Sequence, residues 1–310
     1  MIKKYFLKFN FKIFKNIFFF ISIFYFTYYL IFNKEDISFE IKEEIYYSYI
    51  FLSFLFCILS VFFNGLAWKN IIIWFGKNLK NNNLISFYIL TNSLKYIPGG
   101  VWHFYERFTF LKERVNEKLA FYVNLIEPYF MLSASLLLTS LGVIHNPLFL
   151  IFLLPSILLH RNLIYIIIIK LQSFKNKSIR IFKINYTKSQ FDEKIKIKSS
   201  FPFKILSIEI LFILFKFLGF IFCFYIFNDS NNLDYLFIFT IFSLSWSIGL
   251  IIPAAPGGIG VFEGCFLFLI GNDYSQSSLI MSLIIFRFIS SCTDLILSAP
   301  LFIKQVIKRN

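Results

Sequence analysis

Residues 276–303 read QSSLIMSLIIFRFISSCTDLILSAPLFI, and Arg287 and Asp294 are the only charges in that run. As a helix it is long enough to cross about 30 Å of hydrocarbon. Similar apolar runs recur at about 16–32, 46–68, 117–143, 148–169, 203–227 and 235–252. Across the 310 residues, 58% are hydrophobic and 15% are charged. Soluble domains average about 45–50% apolar and about 25% charged. The balance argues against a soluble enzyme and for an all-α polytopic membrane protein, a single integral membrane domain over 1–310. The 46 phenylalanines accompany abundant Ile, Lys and Asn, a compositional bias that carries no functional weight.

The net charge of +14 would suggest nucleic acid in a soluble protein. Here the bases sit in short connections between apolar runs, so they report topology instead. Lys3, Lys4, Lys8, Lys12 and Lys15 precede the first span. The 170–200 segment carries Lys170, Lys175, Lys177, Arg180, Lys183, Lys188, Lys194, Lys196 and Lys198, and the tail carries Lys304, Lys308 and Arg309. Segment 33–45 is instead acidic, with Glu35, Asp36, Glu40, Glu43 and Glu44. Both termini and the 170–200 loop are therefore expected in the cytoplasm, with 33–45 and 228–234 outside, in the cell inner (plasma) membrane. Trp68, Trp74 and Trp102 are expected to anchor at the membrane interface.

Seven full spans starting inside would end outside, yet the tail is basic. Two further elements are expected to be broken or re-entrant, at about 84–100 and 253–271. Each carries a Pro-Gly-Gly: Pro98-Gly99-Gly100, followed by Trp102, Glu106 and Arg107, and Pro256-Gly257-Gly258, followed by Gly260 and Glu263. Proline removes a helical donor and glycine admits backbone shapes barred to other residues. Non-helical backbone at membrane depth survives only inside protein or beside a water-filled cavity. Paired interrupted segments in a transporter point to a midplane binding site. The two elements are expected to meet near the membrane centre and line one groove, with Lys95, Arg107 and Arg287 biasing it toward a phosphate.

Ionisable residues inside spans face the bundle. Glu127 stands beside Pro128. Glu209 and Lys216, seven apart, are read as a structural pair. Arg287 and Asp294 repeat that spacing and are read as functional. Arg287 is expected to contact an acid, with Glu263 preferred over Asp294. Cys57, Cys223, Cys265 and Cys292 are scattered, as are His103, His145 and His160, so neither a disulfide framework nor a metal site is expected. No phosphate-binding glycine loop occurs, and no cofactor is implied.

The combination of KYIPGGVWHFYERF (95–108), APGGIGVFEG (255–264) and IIFRF (284–288) resembles the membrane region of lysyl-phosphatidylglycerol synthases, over essentially the whole chain. The resemblance implies a lipid flippase for a phospholipid or a polyprenyl-linked headgroup. It implies membrane lipids and anionic headgroups as partners, with a glycosyltransferase or a separate lipid-modifying enzyme beside them, and no nucleic acid. It carries Tyr96, Pro98, Gly99, Trp102 and Arg107 over from the first motif, Pro256, Gly257, Gly258, Gly260 and Glu263 from the second, and Arg287 from the last span. The family commonly has glycine before the motif arginine, where this chain has Glu106, a carboxylate placed to neutralise Arg107. In the family, the soluble aminoacyl-transferring domain follows the membrane region. This chain ends at Asn310, so acyl transfer by this polypeptide alone is not expected. The alternatives are a membrane-embedded transferase, recruiting Glu106, Glu113, Glu263 and Asp294, or a non-catalytic partner of a glycosyltransferase.

Overall fold

The computed structural model describes residues 43–79, 83–97, 101–164, 166, 197–227, 233–252, 260–271 and 274–307. The expected first span at 16–32 and nearly all of the basic 170–200 loop lie outside the described residues. So do both Pro-Gly-Gly triplets.

Among the described residues the protein is all-helical. Its long helices are α1 (Glu43–Trp74), α4 (Glu117–Thr139), α6 (Phe203–Phe224) and α9 (Gln276–Ile307). All four are long and apolar enough to cross a membrane. Between them lie α2 (Leu84–Asn92), α3 (Trp102–Lys112), α5 (Leu154–Ile157), α7 (Tyr235–Ile251) and α8 (Val261–Ile270). A 3-10 turn, Ser93–Tyr96, continues α2 towards the first Pro-Gly-Gly. At 1.5 Å per residue, α2 and α8 are each about 15 Å long or less, roughly half a hydrocarbon core.

The helix starts follow from local chemistry. The Asn116 side chain accepts from the Leu119 N–H at 2.7 Å and opens α4, and Asp234 accepts from the Phe237 N–H at 2.9 Å and opens α7. Each satisfies a donor that the first helical turn leaves free. The 148–169 run does not form one continuous span. Pro147–Leu153 is a 3-10 segment, α5 is a single turn, and residues 158–160 are non-helical. Pro147 and Pro155 stand at the starts of those two pieces, where a missing N–H is tolerated.

Among the described residues, two apolar cores hold the bundle. One gathers Phe212, Phe220, Phe224, Phe242, Phe262, Phe266 and Phe286 from α6 to α9. The other gathers Trp68, Ile71, Tyr88, Leu111, Val123 and Phe130 from α1 to α4. Trp68 is fully buried and Trp74 nearly so, which corrects the expectation that they anchor at the interface. The short α2 folds back over α1 and places Tyr88 against Trp68, with ring centroids 5.8 Å apart. Trp74 donates to the Ser199 hydroxyl at 2.9 Å. Trp102 is about half exposed.

Small residues let backbones approach, as membrane interfaces require. Among the described residues, α1 and α6 share the largest helix–helix interface, where the Ser53 hydroxyl donates to the Gly219 carbonyl at 2.8 Å. Gly142, just after α4, is tighter. A Cβ there would lie 2.6 Å from Thr240 Cγ2 and 2.9 Å from the Phe149 ring. Gly142→Ala is therefore expected to destabilise the protein by about 1–3 kcal/mol through overpacking. Thermal unfolding of the purified protein in detergent checks this, and an unchanged midpoint would refute the overlap.

Candidate functional site

Among the described residues, buried charge is concentrated in three clusters, and α2 or α9 takes part in each. The first is built on Asp294, which is 1% exposed on α9. Its carboxylate accepts from Asn92 Nδ2 at 2.6 Å and from the Tyr96 hydroxyl at 2.7 Å, and it pairs with Lys95 Nζ at 2.8 Å. All three donors come from the end of α2 and its 3-10 continuation. Charged hydrogen bonds of this length are the strong ones. The lysine side chain stays 25% exposed, so this cluster reaches accessible surface. Lys216 of α6 donates to Ser290 at 2.7 Å, one turn before Asp294, and its field reaches that carboxylate.

The second cluster ties α8 to α9. Gly260, with φ of 85°, begins α8 in a backbone conformation that favours glycine. Glu263 reaches back and accepts from the Gly260 N–H at 2.7 Å through Oε2, while Oε1 accepts from Arg287 Nε. The Arg287 guanidinium also lies 4.8 Å from the Phe262 ring centroid. The expected Arg287–Glu263 contact is therefore present, and Asp294 is occupied elsewhere.

The third cluster is almost wholly buried. Arg107 of α3 and Glu127 of α4 pair at 2.7 Å, with side chains 1% and 2% exposed. Tyr88 of α2 donates to the same Glu127 oxygen at 2.8 Å, and Arg107 Nε donates to Thr91 Oγ1 at 3.0 Å. The guanidinium lies 3.6 Å from the Tyr88 ring centroid, within cation–π range. The exposed Glu106 is not the carboxylate that neutralises Arg107; Glu127 is. Glu209 and Lys216 likewise do not pair, because seven residues along one helix separate them by about 10 Å. Lys216 turns to Ser290, and both Glu209 oxygens are buried without a hydrogen-bond partner among the described residues.

Of the expected site residues, Lys95, Tyr96 and Asp294 thus come together, as do Gly260, Glu263 and Arg287. Arg107 joins Glu127 in the interior, and Trp102 stands half exposed at the start of α3. Pro98, Gly99, Gly100, Pro256, Gly257 and Gly258 lie outside the described residues. Tyr88, Thr91, Asn92 and Ser290 belong to these clusters but were not singled out in the sequence. The polar triplet Thr91-Asn92-Ser93 within the 84–97 run was the available signal. The residues just before the first Pro-Gly-Gly and just after the second are thus fastened to one helix, α9. The fastening points, Arg287 and Asp294, lie two turns apart on one face, about 10 Å along its axis.

Comparison with individual curated proteins gives no match. The family model described as the lysylphosphatidylglycerol synthase TM region matches residues 16–298. With helices able to cross a membrane and a match over most of its length, the chain is a multi-pass membrane protein that belongs to this family.

Proposed function

We propose that the protein moves an anionic lipid headgroup, on a phospholipid or a polyprenyl carrier, between leaflets of the cell inner membrane. The observation that carries this reading is that one flank of each motif docks on α9, the first through Asp294 and the second through Glu263–Arg287. A flippase must shelter a charged headgroup across about 30 Å of hydrocarbon while the tails stay in lipid. Short helices facing a common charged surface suit that task, and the partly exposed Lys95 offers a cation for a phosphate. The reading includes two half-depth elements among the full spans, both termini and the 170–200 loop in the cytoplasm, and a groove lined by the two Pro-Gly-Gly elements. It also leaves aminoacyl transfer, and any glycosyl transfer, to a separate partner enzyme.

The test is reconstitution of the purified protein alone into liposomes containing fluorescent phosphatidylglycerol. Inner-leaflet probe should become accessible to an impermeant external reductant at least about tenfold faster than in protein-free vesicles, a difference of roughly 1.4 kcal/mol in barrier. Equal rates for phosphatidylglycerol and for a polyprenyl phosphate, both at the protein-free level, would refute translocation.

A further inference from the structure

Glu209 is the buried group that the three clusters leave unexplained. It sits on α6, 0% exposed, and neither carboxylate oxygen has a hydrogen-bond partner among the described residues. The charged group whose field reaches it is Glu127, on the packed helix α4. Glu127 spends Oε1 on Arg107 and Tyr88, and its Oε2 is also buried without a partner among the described residues. Tyr88 lies within the fields of both carboxylates.

The charges do not balance. Arg107 and Glu127 cancel, which leaves one negative charge at Glu209 with no cation beside it among the described residues. Lys216, on the same helix, is engaged with Ser290 and Asp294. On α1, Cys57 lies in the field of Lys216 and Asp294, and Lys69 is half-buried outside the Glu209 environment. On α9, Arg287 is committed to Glu263. On α7 the titratable group is Tyr235, at the helix start beside Tyr225. An unpaired carboxylate cannot persist in such an interior, because nothing replaces the water it has lost.

We propose that Glu209 is a binding site for one small monovalent cation, a proton or a sodium ion, within the field of Glu127. The site takes one positive charge because one is missing. Loading it completes the neutral α4–α6 interface; unloading it places two carboxylates in mutual repulsion next to the pair that seats α2 and α3. A translocator with no nucleotide-binding motif thereby has a place where an ion gradient can act. The inference concerns cation binding and stands apart from which lipid is moved.

The test reads binding, not transport. Thermal unfolding of the wild type and Glu209→Gln is followed in detergent between about pH 5 and pH 9, with sodium or with choline as the salt cation. If the ligand is a proton, the folded wild type holds it after the unfolded chain has released its own, so the midpoint falls as pH rises. If it is sodium, the wild-type midpoint at high pH rises on replacing choline by sodium. Either shift is expected to be roughly 2–4 °C and absent in Glu209→Gln. Wild type and variant running parallel along both axes would overturn the proposal. Should the variant fail to fold, the wild type is treated with a hydrophobic carbodiimide, which attacks protonated carboxyls, and modified peptides are mapped. Labelling at Glu209 that declines with pH or with sodium supports the site, and labelling indifferent to both overturns it.

Discussion

Arg107→Met is expected to destabilise the protein by about 3–5 kcal/mol, the range for breaking a buried ion pair from one side. The variant leaves Glu127 in the interior with its charge uncompensated, and Thr91 without the Nε–H that it accepts. The Tyr88 hydroxyl would remain as the one hydrogen-bond donor to that carboxylate among the described residues. Glu127→Leu should be nearly as harmful, because it strands the guanidinium instead. The double variant is expected to recover most of the loss, since replacing both partners by apolar groups of similar size is often close to neutral. A double-mutant cycle on unfolding in detergent reads this as a coupling of roughly 2 kcal/mol or more. Single variants that cost under about 0.5 kcal/mol would show that the pair is solvated, against its burial.

That pair also shows where reading the residues stops. Glu127 beside Pro128 stands out as a charge among apolar neighbours, and Arg107 stands after the first Pro-Gly-Gly with Glu106 before it. Their meeting depends on the turn at Glu113–Asn116, which folds α3 back on α4, and no local pattern fixes that angle. The Arg287–Glu263 contact was legible for the opposite reason. The two residues lie on consecutive helices with a short connection, and an arginine deep in an apolar span has few places to go. Asp294 misled as a second partner for Arg287, because its real donors are about 200 residues upstream and only tertiary packing brings them near. Helical class and the principal spans followed from run length and hydropathy. The 148–169 run did not, because length alone ignores how Pro147 and Pro155 divide it. Trp68 and Trp74 failed likewise: tryptophan at the end of an apolar run suits an interface anchor until another helix folds over it.

Asp294→Asn is expected to release the first element from α9 while leaving the second in place. The substitution keeps the volume but removes the charge, and it presents an amide donor to groups that are themselves donors. Hydrogen bonds to a charged group are worth about 1.5–3 kcal/mol each. Losing the equivalent of one should speed local opening of α2 and its 3-10 turn by roughly 10–100-fold. Hydrogen exchange by mass spectrometry reads this directly, as faster exchange in peptides covering 84–97 with little change in those covering 261–270. Arg287→Met should give the reverse pattern, because Glu263 loses its α9 partner while Lys95, Tyr96 and Asn92 keep theirs. The two results together test whether α9 carries two separable docking points. If either variant loosens both peptides equally, the elements are seated as one unit. The mechanical basis for moving one against the other across a headgroup would then be lost.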